Sequence, residues 1–111
     1  MENERDILKS ILQFLAVKKI FCWRNNVGAT VSKYKGVTRF IRYGYKGSSD
    51  VLGILPDGRF FAIEVKRKGN KTTEAQDIFL DEIKKNNGFA MVAYSIDDVI
   101  EAEQNLWRNK D

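Results

Sequence analysis

Residues 47–66, GSSDVLGILPDGRFFAIEVK, contain two apolar runs separated by a turn signal. The runs at residues 51–55 and 60–66 have the length and the apolar content of β-strands. Between them, residues 56–58 read Pro-Asp-Gly, which favours a type I turn followed by a left-handed glycine. The sequence therefore predicts a β-hairpin.

The turn sets the register of this hairpin. A three-residue turn with a glycine bulge pairs Leu55 with Arg59, and counting back places Asp50 opposite Glu64. Because side chains alternate along a strand, Glu64 and Lys66 share one face. A two-residue turn would shift the register and send Asp50 to the other face. Since Pro-Asp-Gly favours the longer turn, we expect the two acids to face each other.

Two opposed carboxylates imply a cation between them. Directly opposed residues have Cβ atoms only about 5 Å apart, and two carboxylates at that distance repel unless a cation or a proton intervenes. Magnesium prefers such hard oxygen ligands, with waters and substrate phosphates completing its shell. A lysine at position 66 would lie beside the metal, where it can orient water and stabilise negative charge on phosphorus.

Length and composition limit the alternatives. The chain has 111 residues, which we interpret as a single domain over residues 1–111, and its 43% hydrophobic and 31% charged content indicates a globular protein. No apolar run is long enough for a signal peptide or a membrane span, so we expect a cytoplasmic protein without membrane contact. Cys22 is the only cysteine and histidine is absent. These counts exclude Ser-His and Cys-His nucleophiles and His-based zinc sites.

Positive charge is concentrated in one interval, because no Asp or Glu lies between Asp6 and Asp50. Such asymmetry suggests a polyanionic partner, although a solvated basic surface is the plain alternative. Three tyrosines in the interval could stack on unpaired bases, but we expect at least two of them to be core or dimer contacts. They are Tyr34, Tyr43 and Tyr45. The predicted nucleic-acid-binding residues are Arg24, Lys33, Lys35, Arg39, Arg42 and Lys46.

The remaining segments predict helices and further strands. Thr73 and Gln76 have capping-box spacing at the start of a helix, and Ser95 and Asp98 repeat it further on. The order of elements implies a mixed sheet flanked by helices. The predicted helices cover residues 4–17, 73–85 and 96 to about 107, the strands cover 20–24 and 89–94, and a strand or hairpin lies around 37–43.

Asp50, thirteen intervening residues and then Glu64-Val65-Lys66 form the pattern D-x(n)-E-x-K. This pattern resembles the active site of the PD-(D/E)xK nuclease superfamily, although position 49 is Ser rather than Pro. Over nearly its whole length the chain is similar to the VRR-NUC domain family. Short members of that family occur in phages, and larger relatives are fused to repair and helicase modules. The resemblance implies an α/β fold of the restriction-endonuclease type.

The resemblance also implies roles for individual residues. Asp50 and Glu64 would hold Mg²⁺ or Mn²⁺, the Val65 carbonyl could add a backbone ligand, and Lys66 would be the catalytic lysine. The family has a glutamine at the position of Gln76 that helps to position the site.

Two of these expectations have competing interpretations. Glu4 lies on the apolar stripe of the first helix and could reach the metal, or it could simply favour the positive end of the helix dipole. Gln76 shares a stripe with Phe79 and Leu80, or it could serve only as the capping partner of Thr73.

The function implied by the resemblance is a structure-selective DNA endonuclease. Similarity to the short family members implies a homodimer, whose two-fold axis suits a branched substrate such as a four-way (Holliday) junction. A nuclease for flaps, nicked duplex or foreign DNA is the alternative enzyme. A non-catalytic DNA-binding module is the alternative outside catalysis.

Overall fold

The computed structural model describes residues 2–107, apart from the side chains of Thr30 and Arg42. A four-stranded sheet forms its centre, with helices on both faces, and a separate two-stranded ribbon is inserted between the first two strands of that sheet. The elements are α1 (Glu4–Val17), β1 (Phe21–Arg24), β2 (Gly28–Tyr34), β3 (Val37–Tyr43), β4 (Val51–Ile54), β5 (Phe60–Val65), α2 (Glu74–Lys85), β6 (Phe89–Ala93), α3 (Ile96–Ala102) and a π-helical turn (Glu103–Trp107).

The sheet is mixed, with the spatial order β1-β4-β5-β6. β4 runs antiparallel to both β1 and β5, whereas β5 and β6 run parallel and are joined through α2. This architecture confirms the predicted α/β fold of the restriction-endonuclease type. None of the helices within residues 2–107 has the length and apolar character that crossing a bilayer requires.

The β4–β5 hairpin has the predicted register. Val51 pairs with Ile63, so the next residues outward, Asp50 and Glu64, oppose each other. The turn closes with a hydrogen bond of 2.8 Å from the Leu55 amide to the Arg59 carbonyl. Its glycine, at position 58, has a φ of +96°, as a glycine bulge requires.

The two faces of β5 pack against different helices. Phe61, Ile63 and Val65 belong to the main core, which they share with the apolar stripe of α1 and with Val99 of α3. Ala62 faces the other way and packs with Leu80 of α2. Glu64 follows Ala62 on this α2 face. The helix that covers the acid-bearing side of the sheet is therefore α2.

The last helix differs from its prediction. Helix α3 begins after Ser95 as expected, but the Ser95 side chain makes no capping hydrogen bond. Asp98 instead accepts from the Tyr94 amide at 2.8 Å. After Ala102 the chain continues as a π-helical turn that ends at Trp107, whose ring packs on Phe61 at 5.3 Å. The π-helical turn thus buries the large ring of Trp107, which is 3% exposed, in the main core.

The β2–β3 ribbon pairs with no strand of the main sheet. Its tip is Lys35-Gly36, where both residues have positive φ (52° and 79°), as a type I′ turn needs. Tyr34 and Tyr43 lie on this ribbon and Tyr45 lies just beyond it, and their exposed fractions are 71%, 49% and 71%. The expectation from the sequence is that at least two of these rings are core or dimer contacts. Its core part is wrong, because all three rings are exposed, and its dimer part stays a prediction.

Candidate active site

Four strand ends meet at one edge of the sheet. Arg24 at the end of β1 pairs with Val51 at the start of β4, and Val51 pairs with Ile63 near the end of β5. Because β5 and β6 are parallel, Val65 lies beside Ala93 at the same edge. Residues that precede β4 or follow β5 are therefore brought together there. Asp50 and Glu64 occupy its middle.

Asp50 is held between both neighbouring strands. Its carbonyl accepts from the Asn25 amide at 2.8 Å, which extends the β1–β4 ladder by one residue. Its carboxylate Oδ2 accepts from the Val65 amide at 2.7 Å. This second bond directs the side chain across to β5, so Asp50 and Glu64 are brought together as the sequence predicts.

Glu64 is almost completely buried, with 3% of its surface exposed. Its Oε2 accepts from Gln76 Nε2 at 3.0 Å, while Oε1 is buried without a hydrogen-bond partner among the described residues. Burial, the charge of Asp50 and a hydrogen bond from the protonated form to Asp50 raise the pKa of Glu64 to about 8, against the opposing charge of Lys66. The charge of Lys66 therefore does not compensate fully for burying an ionised Glu64 beside Asp50.

Gln76 makes both of the contacts that the sequence left as alternatives. Its amide oxygen accepts from the Thr73 backbone amide at 2.9 Å, which completes the capping box of α2. Its amide nitrogen donates to Glu64. One side chain thus fixes the start of the helix and the orientation of the buried carboxylate.

Lys66 continues β5 by one residue, since its amide donates to the Ala93 carbonyl at 3.0 Å. Its side chain is partly exposed. The ammonium lies close enough to lower the pKa of both Glu64 and Glu4 by its charge. The structure therefore groups Lys66 with the acidic pair.

Glu4, in the first turn of α1, binds the segment that follows Lys66. Its Oε2 accepts from the Arg67 amide and from Asn70 Nδ2, both at 3.1 Å. Burial alone would raise the pKa of Glu4, but these hydrogen bonds and the charges of Lys66 and Arg67 hold it below its usual value. Within residues 2–107, no three His, Cys, Asp or Glu side chains converge to hold a metal. Metal binding by Glu4 stays a prediction.

A cavity of about 320 Å³ opens next to the acidic pair, between the end of β1, the loop before β4 and the start of α2. Asn25 lines it and joins its walls, because Nδ2 donates to Ser48 Oγ at 2.7 Å and to the Ser49 carbonyl at 3.0 Å. Spacing along the sequence did not single out Asn25, since its partners lie on the other side of the inserted ribbon. The lining residues are Arg24, Asn25, Asn26, Val27, Gly47, Ser48, Asp50, Glu64 and Gln76.

The predicted nucleic-acid-binding residues are distributed around this cavity and along the ribbon. Arg24 is exposed and lines the cavity itself. Lys33, Lys35 and Arg39 are exposed on the ribbon, and Lys46 is exposed where the chain returns from it. The side chain of Arg42 lies outside the described part of the chain. A further cluster of cations, at residues 67–71, was missed by the sequence analysis.

The donor set fits a hard divalent cation. Such an ion would neutralise the two adjacent carboxylates and bind Glu64 Oε1, which is buried and receives no hydrogen bond from the described residues. The backbone of Val65 lies at the same strand end and already binds Asp50 through its amide.

Comparison with protein families places these features in context. A family model described as the VRR-NUC domain matches residues 2–97. This span includes Asp50, Glu64 and Lys66. Searches of curated proteins and of solved structures gave no match. The family is one of nuclease domains. Because the match covers most of the chain, this protein belongs to the VRR-NUC domain family, and the chain forms a nuclease domain, a hydrolase acting on nucleic acid.

Proposed function

We propose that this protein is a metal-dependent DNA endonuclease that hydrolyses phosphodiester bonds. The observation that supports this most directly is the pair of a half-buried Asp50 and a buried Glu64 beside Lys66, in which Glu64 Oε1 has no hydrogen-bond partner among residues 2–107. A structural ion pair would have its charges matched, whereas this pair is short of positive charge. The cofactor is Mg²⁺ or Mn²⁺, held by Asp50, Glu64 and the Val65 carbonyl.

The residues of the site have separate roles in the proposed reaction. When bound, the divalent ion would neutralise the two carboxylates, lower the pKa of an attacking water and stabilise charge on the phosphate. Lys66 orients that water and stabilises the negative charge that builds on phosphorus. Gln76 holds Glu64 in place through its amide nitrogen, and the Val65 amide does the same for Asp50.

DNA is the proposed substrate because exposed cations extend away from the cavity. The phosphate backbone supplies most of the affinity of non-specific nucleic-acid binding, and it is bound by Lys and Arg. Arg24 would contact it at the cavity, while Lys33, Lys35, Arg39, Arg42 and Lys46 would contact it along the ribbon. We place this activity in the cytoplasm.

The finer proposal is a homodimer that resolves four-way junctions. It starts from the resemblance to short family members and gains support from an exposed apolar surface. Phe21 and Trp23 lie on β1, an outer strand of the sheet, with 68% and 42% of their surface exposed and their ring centroids 5.8 Å apart. A second copy that covers this surface would give two active sites related by a two-fold axis.

Cleavage of a panel of labelled DNAs tests the proposal. The panel contains a four-way junction, a flap, a linear duplex and a single strand, each with Mg²⁺ or Mn²⁺. Glu64→Ala and Lys66→Ala are compared with the exposed controls Glu101→Ala and Lys85→Ala. We expect both site variants to lose about 100-fold or more in rate while the controls cut normally.

Each result has a definite meaning. Preference for the junction by a dimeric sample supports the resolvase, whereas a monomer that cuts flaps supports the alternative enzyme. Absence of cutting in both metals, together with tight metal-independent binding, would identify a non-catalytic DNA-binding module. Cutting that persists in Glu64→Ala would overturn the assignment of the site.

A further inference from the structure

The segment directly after β5 carries three cations that the proposed site does not use. Residues 67–71, here called the β5–α2 turn, read Arg-Lys-Gly-Asn-Lys, and the Asn70 amide closes the turn on the Arg67 carbonyl at 3.0 Å. All five residues are exposed. Within the described part of the chain, neither Arg67, Lys68 nor Lys71 forms a salt bridge. Their charges therefore face solvent.

Glu4 fixes the β5–α2 turn to the first helix. Its Oε2 accepts from the Arg67 amide and from Asn70 Nδ2, so one carboxylate oxygen binds both ends of the turn. The partners of Glu4 are thus a backbone amide and an uncharged side chain. Among the described residues, Glu4 forms no salt bridge with Arg67, Lys68 or Lys71. The turn thus gains a fixed position without losing its charge.

The position of the turn relative to the ribbon is set by the sheet. The ribbon is inserted between β1 and β4, whereas the β5–α2 turn follows β5 and lines a cavity together with Tyr94 and Ser95, which follow β6. Asp50 and Glu64 lie on β4 and β5, between these two insertions. Neighbouring strands are spaced by about 4.8 Å, so the ribbon base, the acidic pair and the turn lie in sequence along one edge.

A second cavity lies beside the turn. Its volume is about 850 Å³, and its lining includes Lys68, Lys71 and Tyr94 together with the acids Glu2 and Asp98. Tyr94 is 39% exposed. Lys68 and Lys71 can bind a phosphate of the backbone, and the exposed ring of Tyr94 can stack on an unpaired base.

We propose that the β5–α2 turn is a second contact surface for the nucleic-acid backbone. It binds the substrate on the opposite side of the scissile phosphate from the ribbon. Glu4 is the positioning residue that holds it there. This inference rests on the proposed function, because it assigns the substrate a path from the ribbon across Asp50 and Glu64 to the turn.

Binding without divalent metal separates this inference from the proposed chemistry. The turn variant Arg67→Gln/Lys68→Gln/Lys71→Gln is compared with Lys19→Gln/Lys84→Gln/Lys85→Gln, which removes the same charge at the opposite edge of the sheet. The probe is a labelled four-way junction, titrated over a range of salt concentrations. We expect the turn variant to lower the slope of log K against log salt by about 2 to 3 and the control to leave it unchanged.

The outcomes are distinct. If wild type binds and cuts while the turn variant matches the control, the inference fails and the proposed function stands. If wild type neither binds nor cuts DNA, both fail. A reduced slope confined to the turn variant, with cutting retained at saturating DNA, supports the contact surface.

Steady-state kinetics test the role of Glu4. We expect Glu4→Ala to raise KM about fivefold or more, since fewer phosphate contacts remain in place, with kcat changed far less. Glu4→Gln should restore KM, because its amide oxygen can still accept from the Arg67 amide. A higher metal requirement in Glu4→Ala, or an unchanged KM, would overturn the positioning role.

Discussion

Gln76 Nε2 donates a hydrogen bond of 3.0 Å to Glu64 Oε2 while Gln76 Oε1 accepts from the backbone amide of Thr73. The first turn of α2 and the buried carboxylate are therefore joined through a single amide group. A disturbance at the start of the helix therefore reaches Glu64 through this side chain. Separate substitutions at Thr73 and Gln76 can distinguish the two roles.

We expect Thr73→Ala and Gln76→Ala to lose similar stability but different activity. Each removes one hydrogen bond of the capping box, which is worth about 1 kcal/mol. Gln76→Ala also frees Glu64, and loss of such an orienting contact lowers activity by about 10- to 100-fold. Chemical denaturation and cleavage rates would measure the two effects. Equal activity in the two variants would show that the Glu64 contact is dispensable.

The stability of the metal-free protein should depend on the protonation of Glu64. Its pKa in the folded protein is raised from 4.5 to about 8. A raised pKa means that the folded state holds the proton more tightly, so this contribution is fully present below pH 4.5 and is lost as pH rises through about 8. Since one pKa unit corresponds to about 1.4 kcal/mol, we expect a loss of a few kcal/mol over this interval.

Glu64→Gln is the matched variant, because it cannot ionise and keeps the shape of the side chain. Its stability should change less with pH than that of wild type, and it should exceed wild type above about pH 8. Denaturant unfolding in a chelator, repeated at several pH values, gives both curves. Parallel curves for the two proteins would show that Glu64 does not titrate in this range.

The hairpin shows how much of the site the sequence could predict. Pro-Asp-Gly at residues 56–58 specifies the turn, the turn specifies the register, and the register places Asp50 opposite Glu64. Each step depends only on residues close together in the chain, so it can be predicted from the sequence. The burial of Glu64 could also be predicted, because the apolar residues around it on β5 leave neither face of the strand exposed to solvent.

Other contacts could not be predicted because they join distant segments. Asn25 bonds to Ser48 across the whole ribbon, and Glu4 bonds to Asn70 across most of the chain. The position of Glu4 on the apolar stripe singled that residue out, but neither residue type indicates its partner, since Asn and Glu are common at helix and strand ends. Ser95 shows the opposite error, where capping-box spacing is present but Asp98 binds the Tyr94 amide instead.

Divalent metal should stabilise the protein through Asp50. A ligand that binds only the folded state at about 100 times its Kd adds about 2.7 kcal/mol. We expect Mn²⁺ and Mg²⁺ to raise the thermal midpoint of wild type and of the exposed control Asp81→Asn. Asp50→Asn should show no rise, because it loses one of the two charges. The metal assignment is wrong if Asp50→Asn responds as wild type does.

Gly47 sits where the loop before Asp50 touches α2. A Cβ at this position would lie 2.4 Å from the Ala75 carbonyl oxygen, and the backbone φ is +82°. Gly58 also has positive φ, but open space surrounds it. We expect Gly58→Ala to cost about 1 kcal/mol from backbone strain alone. Gly47→Ala should cost about 1 to 3 kcal/mol more through overpacking, and it should lower cleavage because the loop holds Asp50.

These two variants are compared by denaturant unfolding and by cleavage at saturating metal. The turn that contains Gly58 lies at the opposite end of β4 from Asp50. The activity of Gly58→Ala should therefore stay close to that of wild type. Comparable losses in the two variants would mean that the Gly47 backbone can move away from Ala75 at little cost. The clash would then be irrelevant to the site.

The ribbon should contribute to binding and not to the stability of the main fold. Its strands pair only with each other, so Lys33→Gln/Lys35→Gln/Arg39→Gln removes exposed charge without touching the core. We expect unfolding free energy within about 0.5 kcal/mol of wild type and a salt slope for DNA binding lower by about 2 to 3. The triple variant at Lys19, Lys84 and Lys85 again serves as the control of equal charge. An unchanged slope in the ribbon variant would remove the ribbon from the substrate path and leave the sheet edge alone to bind DNA.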